Sequence, residues 1–275
     1  MKSIPQFVRL LTLAMLLPFV ALAHAADTAT LKLRMPVTSG GHATYFVRLL
    51  EQSLQAIHQP YEIEYVKDVP ARRMWWMLGN GGINLFYGMQ TKDKRRSKQL
   101  VEVRNGLTNG LIGQRVLLIR PSDTEVFARV QSVVDLKETG LVAGFGAGWG
   151  DTRVWKAADL PLYEHTAPWT TIYAMVAAGN RYIDYLPRGV NEVLEEARQH
   201  PELVVEKHLL LVYPADFAFY LSSSAAEYRP IIERALKEAE ASGLKARLLE
   251  EAFGADIRSL NLQRRLRLQL PAPKD

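Results

Sequence analysis

Five consecutive residues, Lys92-Asp93-Lys94-Arg95-Arg96, carry charge, and four of the charges are positive. A guanidinium such as Arg95 can hold a carboxylate through two parallel hydrogen bonds, which an ammonium cannot do. A charge run is also what a solvated surface looks like, so this pattern leaves Arg95 open between anion binding and simple exposure. Just before it, Tyr87-Gly88-Met89-Gln90 closes an apolar stretch. If that stretch is a strand in a parallel sheet, its carboxyl end lies where ligands collect. Tyr87 and Gln90 would then offer stacking and a hydrogen bond. A packed tyrosine and an exposed glutamine are the equal alternative.

A second candidate is the glycine-rich turn from Gly144 to Gly150, which opens a helix. Free N–H groups at a helix start attract anions. The turn is not a dinucleotide fingerprint, because Trp149 stands where the third glycine belongs. Asp151 reads first as the helix N-cap and second as a partner for a ligand amine. Arg72 and Arg73 precede Met74-Trp75-Trp76; Arg73 is a candidate to reach the same region, and Trp75 and Trp76 read as core residues rather than a stacking platform.

Catalytic readings fare worse. His42, His58, His165, His200 and His208 show no paired metal spacing, and Ser39-Gly40-Gly41-His42 lacks the G-x-S-x-G of a nucleophile elbow. Glu195-Glu196 and Glu250-Glu251 fall on amphipathic helices and read as solvated. The chain is not expected to be an enzyme, nor to hold a metal or cofactor.

Lys2 and Arg9 precede an almost wholly apolar run, Leu10 to Ala23, and Ala23-His24-Ala25 supplies small residues at a cleavage site. The apolar run is about 14 residues, short of the roughly 20 that span a bilayer, so residues 1–25 read as a cleaved export signal and the mature protein as periplasmic. The net charge of +5 becomes +3 once those two cations leave. Without cysteine, disulfides and thiolate metal sites are excluded. Export argues against a nucleic-acid partner, and Arg264, Arg265 and Arg267, spaced through leucines, read as one solvated face.

The elements that must position these residues follow from periodicity. Leu31–Val37, Tyr61–Val66 and Ile83–Met89 are strand-like, and His42–Gln59 and Pro70–Met77 between them are helical. That βαβαβ order predicts a parallel sheet. Leu111–Arg120, Leu141–Phe145, Tyr182–Leu186, Leu203–Tyr213 and Phe217–Leu221 are further strands. Helices are expected from Thr152, over Trp169–Ala178 and Asn191–His200, and then over Tyr228–Ala241 and Leu244–Phe253.

Several short segments resemble, in order, the family 3 extracellular solute-binding proteins and their orphan relatives. Gly82-Ile83-Asn84-Leu85 is similar to the family's G-x-I-D, and Thr91-Lys92-Asp93-Lys94-Arg95 to its T-x-E-R. Val134-Asp135-Leu136-Lys137 is similar to the start of its second lobe, Gly179-Asn180-Arg181-Tyr182-Ile183-Asp184 to G-R-x-D, and Leu260-Asn261-Leu262 to an ending of the orphan relatives. The resemblance implies the type 2 periplasmic-binding-protein fold: an α/β clamshell whose two lobes are mainly parallel sheets flanked by helices. Lobe 1 would be 26–119 plus 214–275 and lobe 2 would be 120–213, with hinges near Arg120 and Tyr213.

It further implies a small polar ligand held between the lobes, with Arg95 gripping a carboxylate and Gly150 and Asp151 nearby. Pro70-Ala71-Arg72-Arg73 keeps the proline and arginine of the relatives' Pro-Trp-x-Arg and lacks the tryptophan. Where amino-acid-binding members place an aspartate for the ligand ammonium, Arg188 or Gly189 stands here. A cation would repel an ammonium, so Arg95 with Arg188 suits a dicarboxylate or other anion; capping of its own loop is the equal alternative for Arg188. The implied partner is an inner-membrane ABC permease, or alternatively a membrane sensor, and the protein is expected to be a monomer.

Overall fold

The computed structural model describes residues 29–36, 41–67, 71–179 and 182–272; the expected export signal and part of the Ser39–His42 segment lie outside them. The strands are β1 (Leu31–Pro36), β2 (Tyr61–Val66), β3 (Leu85–Met89), β4 (Leu100–Glu102), β5 (Gln114–Ile119) and β6 (Ala143–Gly146). They continue with β7 (Leu162–His165), β8 (Tyr185–Gly189), β9 (Val204–Val205), β10 (Leu209–Val212), β11 (Phe217–Ser222) and β12 (Leu266–Gln269).

In the first lobe, β1 alternates buried Leu31, Leu33 and Met35 with exposed Lys32 and Arg34, as a strand with one covered face must. The helix Gly41–Ala56 returns Phe46, Leu49, Leu50 and Leu54 to that core, and β2 pairs parallel with β1 from Leu31↔Tyr61 to Pro36↔Val66. β3 instead pairs antiparallel with β11, which also carries β4. The seam between the two sheets is stitched by Asn84: its backbone N–H donates to Arg34 O at 2.9 Å. Its side chain accepts from Arg34 N at 2.7 Å and donates to Lys32 O at 2.8 Å.

The second lobe is built on a larger sheet in the order β12-β10-β5-β8-β6-β7, with β9 beside β5. Both faces are covered. In β5, Leu117 and Ile119 enter one core while Val116 and Leu118 enter the other, and Leu209 and Leu211 of β10 likewise oppose Leu210. A strand buried on both faces reads as an unbroken apolar run rather than an alternation, which is the pattern of these segments.

Residues 114–119 and 266–269, expected with the first lobe, are thus hydrogen-bonded into the second lobe's sheet. The strand expected over Leu203–Tyr213 is broken into β9 and β10. The carboxylate of Glu206 accepts from the N–H groups of His208 at 2.5 Å and Leu209 at 2.7 Å, which turns the chain. Arg265 departs from the solvated face expected of it. It is buried and donates to Leu260 O, Glu206 O and Leu209 O, tying β12 to that turn.

β4 and β11 belong to one sheet and β5 and β10 to the other, so the chain passes between the two sheets within residues 103–113 and 213–216. The Asp216 carboxylate clamps them together, accepting from Thr108 N at 2.9 Å, Thr108 Oγ1 at 2.6 Å, Gly110 N at 3.1 Å and Phe217 N at 2.7 Å. A Cβ on Gly113 would strike the carbonyl of Tyr213 and lie 3.1 Å from Ala215 N, both backbone atoms. Gly113→Ala is therefore expected to cost about 1–3 kcal/mol, the range for forced overpacking. Urea melts of the two proteins check this, and equal midpoints would contradict the close approach.

Candidate functional site

Between the lobes lies a cavity of about 1010 Å³. One wall is the end of β3 and the short helix that follows, Met89 to Arg96. The facing wall is Gly150, Arg153, Val154 and Ala157 of the helix Asp151–Ala157 with its preceding residue, and Pro214 to Asp216 form the back. Thr91 starts the first wall: it is extended, and its hydroxyl accepts from Lys94 N at 3.4 Å, capping the helix Lys92–Arg96. Gln90 N–H donates to Asp216 O at 2.9 Å, which joins that wall to the crossing. On the facing wall, positions 150, 153, 154 and 157 share one helical face.

Of the residues singled out in the sequence, Arg95, Gln90 and Gly150 line the cavity. Glu102, which no motif marked, organises the first two. Its Oε1 accepts from Gln90 Nε2 at 3.0 Å, both of its oxygens accept from Arg95 Nε at 3.1 Å, and its Oε2 accepts from Tyr220 at 3.1 Å. The Arg95 side chain remains half exposed at 52%, against 10% for Glu102. Gly150 lies close to the other lobe, since a Cβ there would strike the sulfur of Met89, whose side chain would have to shift.

The other candidates lie elsewhere. Tyr87 is buried in the first core, stacked on Phe46 with ring centres 4.0 Å apart, and Arg73 is exposed on the helix Ala71–Gly79 outside the cavity lining. Trp75 and Trp76 divide: Trp75 packs edge-on to Phe86 and Tyr220, whereas Trp76 is 62% exposed. Consecutive helical residues point about 100° apart, so only one can face the sheet.

Asp151 is not the N-cap. Gly150 takes that place, and Asp151 is buried in the first turn. Its carboxylate holds Arg115 at 2.6 Å and accepts from Tyr213, whose oxygen in turn accepts from Arg115 Nε at 2.8 Å. Burial opposes the Arg115 charge, but Asp151, Tyr213 and Glu192 outweigh it and hold the guanidinium above its ordinary pKa. Arg188 is likewise inside, saturated by Glu196 at 2.6 and 2.5 Å and Glu192 at 2.5 Å. Glu196, expected to be solvated, is therefore committed to a buried pair.

Arg153 crosses the cavity mouth to Asp93 of the other lobe, and that hydrogen-bonded ion pair holds the Asp93 carboxyl below its usual range. Counting the lining residues, the basic ones are Lys92, Arg95, Arg96, Arg153 and Lys156, and the acidic ones are Asp93 and Asp216. The lining residues thus carry a net positive charge.

Lys94 lies behind this wall. Its ammonium donates to Met89 O at 2.7 Å and sits 4.0 Å from the Trp75 ring centre. Burial pulls its pKa down to about 8, with Glu102 opposing. The unfolded lysine titrates near 10.5, so between pH 8 and 10.5 the unfolded chain holds more protons and stability rises with pH. Below pH 8 both states are charged and this contribution is level. From pH 8 to 10, wild type should gain about 2 kcal/mol that Lys94→Met does not. Urea melts across that window check it, and parallel curves would contradict it.

No family model matches the chain, and no curated protein matches it. Solved structures do. The GluR0 ligand-binding core in complex with L-glutamate aligns with a TM-score of 0.59 at 14% identity, covering 82% of this chain and 99% of that one. An ArgBP variant from T. maritima aligns with a TM-score of 0.56 at 15% identity over 82% and 95% of the two chains. AbpA from Streptococcus pneumoniae, an amino acid ABC transporter substrate-binding protein bound to L-arginine, gives 0.56 at 15% over 83% and 96%. The fold is the two-lobed type 2 periplasmic-binding-protein fold that the sequence resemblance implied.

Proposed function

We propose that the chain is a periplasmic solute-binding protein that captures a small polar, anionic solute between its lobes and presents it to an inner-membrane ABC permease. The observation that carries the reading is the interlobe cavity with basic lining residues outnumbering acidic ones. The fold supports it, since solved proteins of the same shape include amino acid ABC transporter substrate-binding proteins. Fold alone does not determine a ligand; the chemistry of the wall does.

A standard α-amino acid suits this wall poorly. Its ammonium needs a carboxylate or carbonyl, and the acidic groups present are committed, Asp93 to Arg153 and Asp216 to the crossing. A dicarboxylate suits it better, because Arg95 and Arg153 stand on opposite lobes and a ligand carboxylate can displace Asp93 from the exposed Arg153 pair. A module that reports ligand occupancy without an importer is the second reading, favoured by the likeness to the GluR0 ligand-binding core.

A thermal-shift panel of the chain from Ala26 to Asp275 tests the proposal. A ligand that binds only the folded state raises the melting temperature with concentration. Succinate or a related dianion should do so, and spermidine and neutral sugars should not. A shift with spermidine alone would overturn the anionic reading.

A further inference from the structure

The Arg188 guanidinium lies in a setting that resembles a bound ligand more than a surface ion pair. Its central carbon is 5.0 Å from the Trp149 ring centre and 5.1 Å from that of Trp169, and the two indoles are themselves 5.4 Å apart, tilted by 57°. The three centres form a nearly equilateral triangle, so the cation rests in a corner made by two ring faces, where the indole quadrupole attracts it. On its other side Glu196 takes two of its nitrogens and Glu192 approaches one. The charged groups are largely desolvated, the side chains of Arg188 and Glu192 being 8% exposed and that of Glu196 13%, while the two indoles are half-buried.

The corner is shaped for its occupant. Gly146 ends β6 without a side chain, and a Cβ there would lie 2.6 Å from Trp149 Nε1 and 3.1 Å from Trp169 Cβ. Trp149 is the residue before Gly150 of the cavity wall. Two carboxylates face one guanidinium, and Arg115, which Glu192 also attracts, is bonded to Asp151 and Tyr213. Without Arg188 the corner would keep two buried carboxylates and two indole faces, which demand a cation.

We infer that Trp149, Trp169, Glu192 and Glu196 form a cation cage in the second lobe that the chain fills with its own Arg188, so that Arg188 is the residue denying this part of the lobe to alkylguanidines and amines. The inference concerns the cage and stands whether or not the cavity takes an anion. Arg188→Ala in the mature chain vacates the cage. Methylguanidinium at a few millimolar should then raise the melting temperature of the variant and change its tryptophan fluorescence. It should leave wild type unmoved, as should equal sodium chloride for both, with an affinity gain of about tenfold or more over wild type.

A purely structural ion pair predicts a destabilised variant that methylguanidinium does not restore. That result, or an equal response of wild type, overturns the inference. If Arg188→Ala does not fold in plain buffer, refolding it with methylguanidinium decides the matter: recovery of the native circular dichroism supports the cage, and failure where Arg188→Met folds overturns it.

Discussion

Arg115→Leu is expected to cost about 3–5 kcal/mol, because it leaves the Asp151 carboxylate buried without its cation. Arg115 and Asp151 are both almost fully buried, 2.6 Å apart, with the Tyr213 hydroxyl bonded to each. For a chain of this length each kcal/mol moves the melting temperature by about 2–4 °C, so a fall of about 6–20 °C should be seen. The double change Arg115→Leu with Asp151→Leu should recover much of it, since an apolar pair of similar volume carries no stranded charge. The trio also has a placement role. It ties the start of one cavity wall, at Asp151, to β5 and to Tyr213 at the second crossing. Guanidinium chloride melts of the single and double variants check the prediction, and additive losses in the double would show that the pair is not coupled.

Arg153→Glu should lower affinity for a dianion by about tenfold to a hundredfold. The change removes one lining cation, adds an anion, and sets two carboxylates against each other where Arg153 meets Asp93. An exposed, solvent-screened pair such as this contributes little to stability. A ligand charge at about 4 Å is worth roughly 1 kcal/mol in water and up to 4 near a protein surface. The ligand contribution therefore dominates, and the variant should fold normally while binding weakly. Calorimetric titration checks this. Unchanged affinity would place the ligand away from the helix Asp151–Ala157.

Much of this was legible in the sequence. The helical face Phe46, Leu49, Leu50, Leu54 and a strand over Leu31–Val37, found as Leu31–Pro36, followed from spacing alone, whereas the two-lobed fold came from the resemblance. The sequence misled where a polar side chain acts against its type. Glu206 within an apolar run reads as a strand residue, yet its carboxylate folds back on two N–H groups and breaks the strand. Arg265 between leucines reads as exposed, yet three carbonyls take its guanidinium inside. Strand pairing was also hidden, because β12 is joined to β10 across more than fifty residues.

At the site, Gln90, Arg95 and Gly150 were legible as a strand end, a charge run and a glycine turn. Arg153 had a signal that went unused: it lies three residues after Gly150, on the same helical face. Glu102 had none, since only the pairing of β4 with β11 brings it beside Gln90 and Tyr220. Asp151 read first as an N-cap and second as a ligand group, and Arg188 equally as a loop cap or a ligand group, whereas the fold sets both charges against buried partners.

The most direct test of interlobe anion capture is calorimetric titration of the chain from Ala26 to Asp275 with succinate, beside Arg95→Ala, at low and high salt. The account predicts one site per chain, weakened by Arg95→Ala and by salt, as charge-dominated binding requires. Saturable binding of succinate that neither salt nor Arg95→Ala alters would contradict it, and so would no binding of any dianion.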